Sequence, residues 1–170
     1  MTTHRDHDLV VLITGASSGI GAATTRAMCA AGMTVHATAR REQRLHDLAA
    51  ETGCIPHVLD VCDAAGVKSL IAEIGTVDIL VNNAGIGSAE SIEDVDMAIW
   101  QHILAVNTTG VFLGGRSALQ SMKQSGGGSI INISSALGLR LLSSTPALGG
   151  SKGRVVHLAK GNGVRSDEKG

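Results

Sequence analysis

Five short apolar runs punctuate the chain: 9–13 (LVVLI), 33–38 (MTVHAT), 55–59 (IPHVL), 77–81 (VDILV) and 129–133 (SIINI). The first is continuous and ends in Thr14 and Gly15, the pattern of a strand buried on both faces. The stretches between the runs predict helices over 19–31 (closed by Gly32), 41–51, 64–74, 94–104, 107–124 and 149–160. Gly110, Gly114 and Gly115 weaken the fifth of these, and a triple-glycine turn at 126–128 introduces the last strand. Strands alternating with helices predict an α/β fold, an open doubly wound parallel sheet of Rossmann type. Right-handed crossovers put helices on both faces, and ligands of such sheets bind beyond the carboxyl ends of the strands. Residues 14–21, 38–41, 60, 82–85 and 134–135 are therefore the positions where chemistry is expected.

Length and charge narrow the picture. The 170 residues suit one domain, which we divide into a tail over 1–8, a dinucleotide-binding unit over 9–160 and a polar end over 161–170. The net charge of −1, with no basic block, argues against nucleic acid and membrane surfaces as partners. No apolar stretch is long enough for a signal peptide or a spanning helix, so a cytoplasmic location is expected. Cys29, Cys54 and Cys62 lack metal-ligand spacing and read as buried thiols of a reducing compartment. His4, Asp6, His7 and Asp8 could in principle hold a metal, but nothing fixes their geometry and a solvated tail is the preferred reading. There is no tyrosine in the chain.

The strongest motif is Thr14-Gly15-Ala16-Ser17-Ser18-Gly19-Ile20-Gly21, placed between the first strand and the first helix. Gly15 permits a tight turn, Gly19 a close approach of a pyrophosphate, and Gly21 the packing of helix on strand. The helix start offers free N–H groups and a partial positive charge to phosphates. At the tip of the second strand stand Arg40 and Arg41, with no carboxylate to accept from a free ribose. Guanidinium groups there suit a 2′-phosphate, so NADP is expected as cofactor in preference to NAD.

The turn over 14–21, together with Asn82-Asn83-Ala84-Gly85, closely resembles the short-chain dehydrogenase/reductase family over about residues 8–160. The resemblance implies that Asp60 and Val61 meet the adenine ring and that the residues over 82–85, with Asn83, Ala84 and Gly85 nearest the cofactor, support the sheet and the site. Thr14, Gly15, Ser17, Ser18, Gly19, Ile20 and Gly21 would line the phosphates. It further implies hydride transfer between a ketone and a secondary alcohol, small-molecule carbonyl or alcohol partners, and homo-oligomers built on the helices over 107–124 and 149–160. Asn107, Ser135 and Lys152 fall on the family's catalytic Asn, Ser and Lys, and Lys152 would also hold the ribose. Other readings remain for all three: Asn107 as the N-cap of the following helix, Ser135 as a cap of the local backbone, and Lys152 as an ordinary lysine on a helix surface.

The departures are as informative. Four residues before Lys152 and thirteen after Ser135 both lead to Leu148, where the family carries its proton-donating tyrosine. Leucine has no proton to give, and Ser143, Ser144 and Thr145 are far weaker acids than a phenol. The family fold also runs on past the Lys-bearing helix, so the resemblance implies a C-terminally truncated or degenerate relative. With that comes an apolar sheet edge at 129–133 and an expectation of marginal stability or self-association. Two functions follow: an NADP-dependent oxidoreductase with impaired turnover, or a non-catalytic NADP-binding remnant or regulatory module. A metal hydrolase or phosphotransferase finds no HExxH and no Gly-Lys-Ser/Thr here. Substrate identity is not legible; the apolar stretch over 136–142 fits either a hydrophobic substrate wall or plain packing.

Overall fold

The computed structural model describes residues 8–139 and 145–161. Residues 1–7 of the expected tail over 1–8, with His4, Asp6 and His7 among them, residues 140–144, with Arg140, Ser143 and Ser144, and residues 162–170 of the expected polar end over 161–170 lie outside the described residues. In chain order the elements are β1 (Val10–Thr14), α1 (Gly19–Ala30), β2 (Thr34–Ala39), α2 (Glu42–Thr52), β3 (Ile55–Val58), α3 (Ala64–Ile74), β4 (Ile79–Asn82), α4 (Met97–Leu104), α5 (Gly110–Gln124), β5 (Ser129–Asn132) and α6 (Pro146–Gly161). All pairings are parallel, in the order β3-β2-β1-β4-β5. The chain moves outward from β1 to β3, then crosses back to β4 beside β1. That reversal sends α1 and α2 to one face of the sheet and α3 and α5 to the other.

The strand alternation divides the core in the same way. Val11 and Ile13 join Val35, Ala37, Leu45 and Leu48 on one face. Leu12 joins Leu80, Val67, Leu70, Ile71 and Met122 on the other. Each fully buried Leu or Ile of this kind contributes roughly 1.5–3 kcal/mol. Asp78, 3 % exposed, fixes the entry to β4 by accepting from the Val10 N–H at 2.9 Å. β5 is the outer strand next to β4, and Ile131 on it is 41 % exposed.

Five expectations change. The helices over 94–104 and 107–124 are one rod: a π-helical turn over Ala105–Thr109 joins α4 to α5, with helical dihedrals at Ala105 and Gly110. Because helical backbone already enters from α4, Asn107 caps nothing, and its N-cap reading is corrected. α4 itself starts three residues late, where Asp96 accepts from the Ala98 N–H at 2.7 Å. Gly110 and Gly114, read as weak points, are contact points. A Cβ on Gly110 would sit 2.8 Å from Val61, and one on Gly114 would sit 2.7 Å from Asn82 Oδ1. One turn apart on the same side, they let α5 lie close to the sheet. Finally, α6 begins at Pro146, a favoured first helical residue, three positions before its expected start. Leu148 and Lys152 are therefore successive-turn neighbours on one helix face.

Candidate active site

The carboxyl ends of β1, β2, β3 and β4 open on one cleft of about 610 Å³. Gly15, Ser17, Ser18 and Ile20 of the glycine turn line it, with Arg40, Arg41, Asp60 and Val61 toward one end. Asn83, Ala84 and Gly85 line its middle, and Lys152 and Leu148 belong to the other end. Thr14, Gly19 and Gly21 lie outside the wall and act on its shape. The Thr14 hydroxyl, buried, accepts from the N–H groups of Asn83 at 3.0 Å and Ala84 at 3.1 Å. Asn83 Nδ2 returns bonds to the carbonyls of Thr14 at 3.0 Å and Gly15 at 3.2 Å. The glycine turn and the 82–85 segment are thereby locked to each other, the reason both motifs occur together.

Gly15 is where this lock is tightest. Its φ is +68°, and a Cβ would stand 2.7 Å from Ala84 Cα. Gly15→Ala is expected to cost about 1–3 kcal/mol in left-handed strain and backbone displacement. A lowered urea midpoint, with loss of nucleotide affinity, checks this; an unchanged midpoint contradicts it.

Ser18 precedes α1 but its side chain caps no helical N–H. The hydroxyl serves Arg41 instead. The Arg41 guanidinium donates to Ser17 Oγ at 2.9–3.0 Å and to Ser18 Oγ at 2.6 Å. A cation from the start of α2 is thus held over the phosphate turn, and the first N–H groups of α1 stay free for an anion. Arg40 is more than half exposed and meets Asp60 only at 3.9 Å, a contact worth little in water. Asp60 turns its other oxygen to the Cys62 N–H at 2.9 Å.

The opposite end is poorer in protons than the motifs suggest. Lys152, 7 % exposed, donates from Nζ to the Ile133 carbonyl at 2.8 Å. Burial holds its pKa below the ordinary lysine range. Asn107, fully buried, ties the Ile86 loop to α6: Oδ1 accepts from Ile86 N–H, and Nδ2 donates to the Ile86 carbonyl (both 2.8 Å) and to Ser151 Oγ at 3.0 Å. It pins the segment beside Gly85 but is absent from the cleft wall. Ser135 is likewise absent from the wall; its Oγ accepts from the Leu137 N–H at 3.2 Å and caps a 3-10 turn over Ala136–Gly138. Leu148 does line the wall, with its methyl groups packed over Gly87.

Sequence reasoning missed Leu59, Ile86, Val106 and Ile133 in the wall. Leu59 and Ile133 could have been found, because each is the residue just past β3 or β5. Ile86 and Val106 carry no sequence signal, since only the Asn107 bonds bring the Ile86 loop against the π-helical turn that carries Val106.

The lowered pKa of Lys152 bears on stability. Below the folded-state value both states carry the ammonium, and its burial weighs on the fold. Between that value and the ordinary one the unfolded chain binds more protons, so stability rises with pH across this window. Lys152→Met removes the penalty at neutral pH. We expect a gain of about 1 kcal/mol, or roughly 2–4 °C in Tm at pH 7, shrinking as pH climbs toward the ordinary lysine range. Melting both proteins at pH 7 and near pH 10 checks it; a variant that melts lower at pH 7 contradicts it.

Comparison with known proteins accounts for the arrangement. The family model described as short chain dehydrogenase matches residues 9–169. The chain is 35 % identical over 176 residues to a (5R,7aS)-5-hydroxy-7a-methyl-1-oxo-2,3,5,6,7,7a-hexahydro-1H-indene-carboxyl-CoA reductase of Mycobacterium tuberculosis, covering 97 % of this chain and 67 % of that protein. It is 42 % identical over 136 residues to a 3-alpha-(or 20-beta)-hydroxysteroid dehydrogenase of Mycobacterium bovis, covering 76 % of this chain and 52 % of that one. The closed form of a serine dehydrogenase complexed with NADP+ superposes with a TM-score of 0.86 at 32 % identity, over 90 % of this chain and 64 % of the other. The chain thus spans between half and two thirds of the length of these relatives. Among the described residues no helix is long and apolar enough to cross a membrane. With the parallel sheet, the locked glycine turn and these likenesses together, the chain belongs to the short-chain dehydrogenase family.

Proposed function

We propose that this chain binds NADP in the cleft and carries the framework for hydride transfer between a ketone and a secondary alcohol, with turnover depressed by Leu148. The observation that carries the reading is the position of Leu148: on the cleft wall, one helical turn before Lys152. The cofactor would supply or accept the hydride.

The residues present fit such a group. Gly19, with φ +53°, has no atom within 4 Å of where a Cβ would stand, so the turn leaves open space beside its backbone, and Arg40 and Arg41 supply cations at the end where a 2′-phosphate would lie. The two serines orient Arg41, and Asp60 and Val61 flank the region where an adenine would rest. Lys152 would hold ribose hydroxyls, and the loop pinned by Asn107 would close the nicotinamide end. The NADP+ complex of the serine dehydrogenase supports the choice of cofactor by likeness. The substrate is a small alcohol or carbonyl compound, as in the hydroxysteroid dehydrogenase. Ile86, Val106, Ile133 and Leu148 favour an apolar one.

What the wall lacks is an acid. Reducing a carbonyl leaves an alkoxide that must receive a proton, and a positioned donor is worth about 10²–10⁴-fold. Leu148 offers none. A second reading, an NADP-binding module without turnover, draws on the same leucine and on Ser135 facing its own 3-10 turn. The two are separated by NADPH consumption with cyclic and aliphatic ketones: slow, substrate-dependent oxidation supports the first, and binding with no oxidation the second. Further elements of the proposal are a cytoplasmic location and a homo-oligomer. Phe112, 49 % exposed on α5, is an apolar side chain available to such an interface.

A further inference from the structure

The amine of Lys152 stands in chemical surroundings unlike those of an ordinary surface lysine. An ammonium has three N–H donors to satisfy, and Nζ has one described acceptor, the Ile133 carbonyl at 2.8 Å. Among the described residues no carboxylate forms an ion pair with it. The carboxylate and guanidinium groups of the cleft, Asp60, Arg40 and Arg41, line the end that also holds the glycine turn. The cleft wall to which Lys152 belongs also holds the apolar Ile86, Val106, Ile133 and Leu148, and a Cβ on Gly85 would lie 3.3 Å from Nζ and 3.4 Å from Asn107 Oδ1, which is itself bonded to the Ile86 N–H. In place of a phenol oxygen, Leu148 presents methyl groups. The amine is accessible, because it lines the cleft wall, and poorly solvated, because it is 7 % exposed.

We propose that Lys152 is a reactive amine that captures apolar aldehydes as imines within the cleft. The nitrogen lone pair adds to the carbonyl carbon while the C=O electron pair moves to oxygen; a proton passes from nitrogen to that oxygen, giving a carbinolamine. Loss of water then forms the C=N bond, so that RCHO and Lys152-NH2 give RCH=N-Lys152 and H2O. No oxidant or reductant enters the step. Desolvation favours the neutral, nucleophilic form of a lysine, the device by which amines in apolar pockets become Schiff-base formers. Burial acts in that direction here. The apolar wall selects an aliphatic chain over a charged aldehyde. This activity goes beyond hydride transfer and does not require it.

The test uses the unaltered chain, hexanal as the probe and cyanoborohydride as the trap, at pH 7. The trap reduces any imine to a stable secondary amine that peptide mass mapping locates. Lys68 and Lys123, both exposed, serve as references in the same molecule. We expect Lys152 to be alkylated about tenfold faster than either. Labelling of Lys152 no faster than of Lys68 and Lys123 overturns the proposal, whether the cause is a charged amine, a closed cleft or a chain that does not hold its fold. A parallel run with excess NADPH separates this proposal from the cofactor reading. Slowing at Lys152 alone supports both, and selective labelling that NADPH leaves unchanged supports the amine while overturning NADPH binding next to it.

Discussion

Leu148→Tyr should raise ketone-dependent NADPH oxidation by about 10²–10⁴-fold, the usual worth of a positioned general acid. The geometry makes the test clean. Leu148 and Lys152 are four apart on α6, so a phenol at 148 would share the cleft wall with the amine. In its protonated form Lys152 would favour the phenolate of that neighbour and so ease release of the proton. The rest of the framework is already in place: the glycine turn is locked to the 82–85 segment, and the Asn107 amide holds the adjoining loop. The gain should come with kcat, since the hydroxyl acts on a developing alkoxide and not on the bound ketone. Leu148→Phe, which adds a ring without a hydroxyl, should not share it. A tyrosine variant that binds NADPH yet turns over no faster than the parent would show that the missing acid is not what limits the chain.

Arg40→Asp should weaken NADPH relative to NADH by about 10–100-fold, the loss of one or two hydrogen bonds to a charged phosphate. Arg40 is the freer of the two guanidiniums, since its only ion pair among the described residues is the 3.9 Å contact with Asp60. An aspartate in its place would repel a 2′-phosphate and accept from a ribose hydroxyl. Arg41 has a different part to play. Bonded to Ser17 and Ser18, it braces the phosphate turn, so Arg41→Ala should weaken both nucleotides and shift their ratio less. Competitive displacement titrations of the two variants separate these effects. An Arg40→Asp protein with an unchanged NADPH/NADH ratio would mean that the preference is set elsewhere.

The sheet was legible because its central strands β1 and β4 are buried and read as nearly unbroken apolar runs, and because the partly exposed outer strands β3 and β5 keep enough apolar residues between turn signals to stand out; the helix over Ala64–Ile74 is found at its expected limits. The Leu148 substitution was legible for a similar reason, because two independent spacings meet on it. What stayed hidden depends on through-space register. Gly110 and Gly114 look like defects until α5 is laid against Val61 and Asn82. Asn107 resembles a cap until α4 is seen to run into it without a break. His36 and His57 are 21 positions apart, yet adjacent parallel strands stack their rings with 2.9 Å between Nδ1 and Nε2. Burial lowers the pKa of both, so one neutral ring donates and the other accepts. The Arg41 bridge to two serines belongs to the same class, since residue types alone do not say which guanidinium folds back.

Binding of the nucleotide itself is the claim on which the rest depends, and a fluorescence titration of the purified chain with NADPH, and separately with NADH, tests it most directly. Saturable NADPH binding with weaker NADH binding is the predicted result, with Arg40, Arg41 and the locked glycine turn as its source. Binding of neither nucleotide by a chain whose circular dichroism is that of a folded α/β protein would contradict it, and the glycine motif would then record ancestry alone.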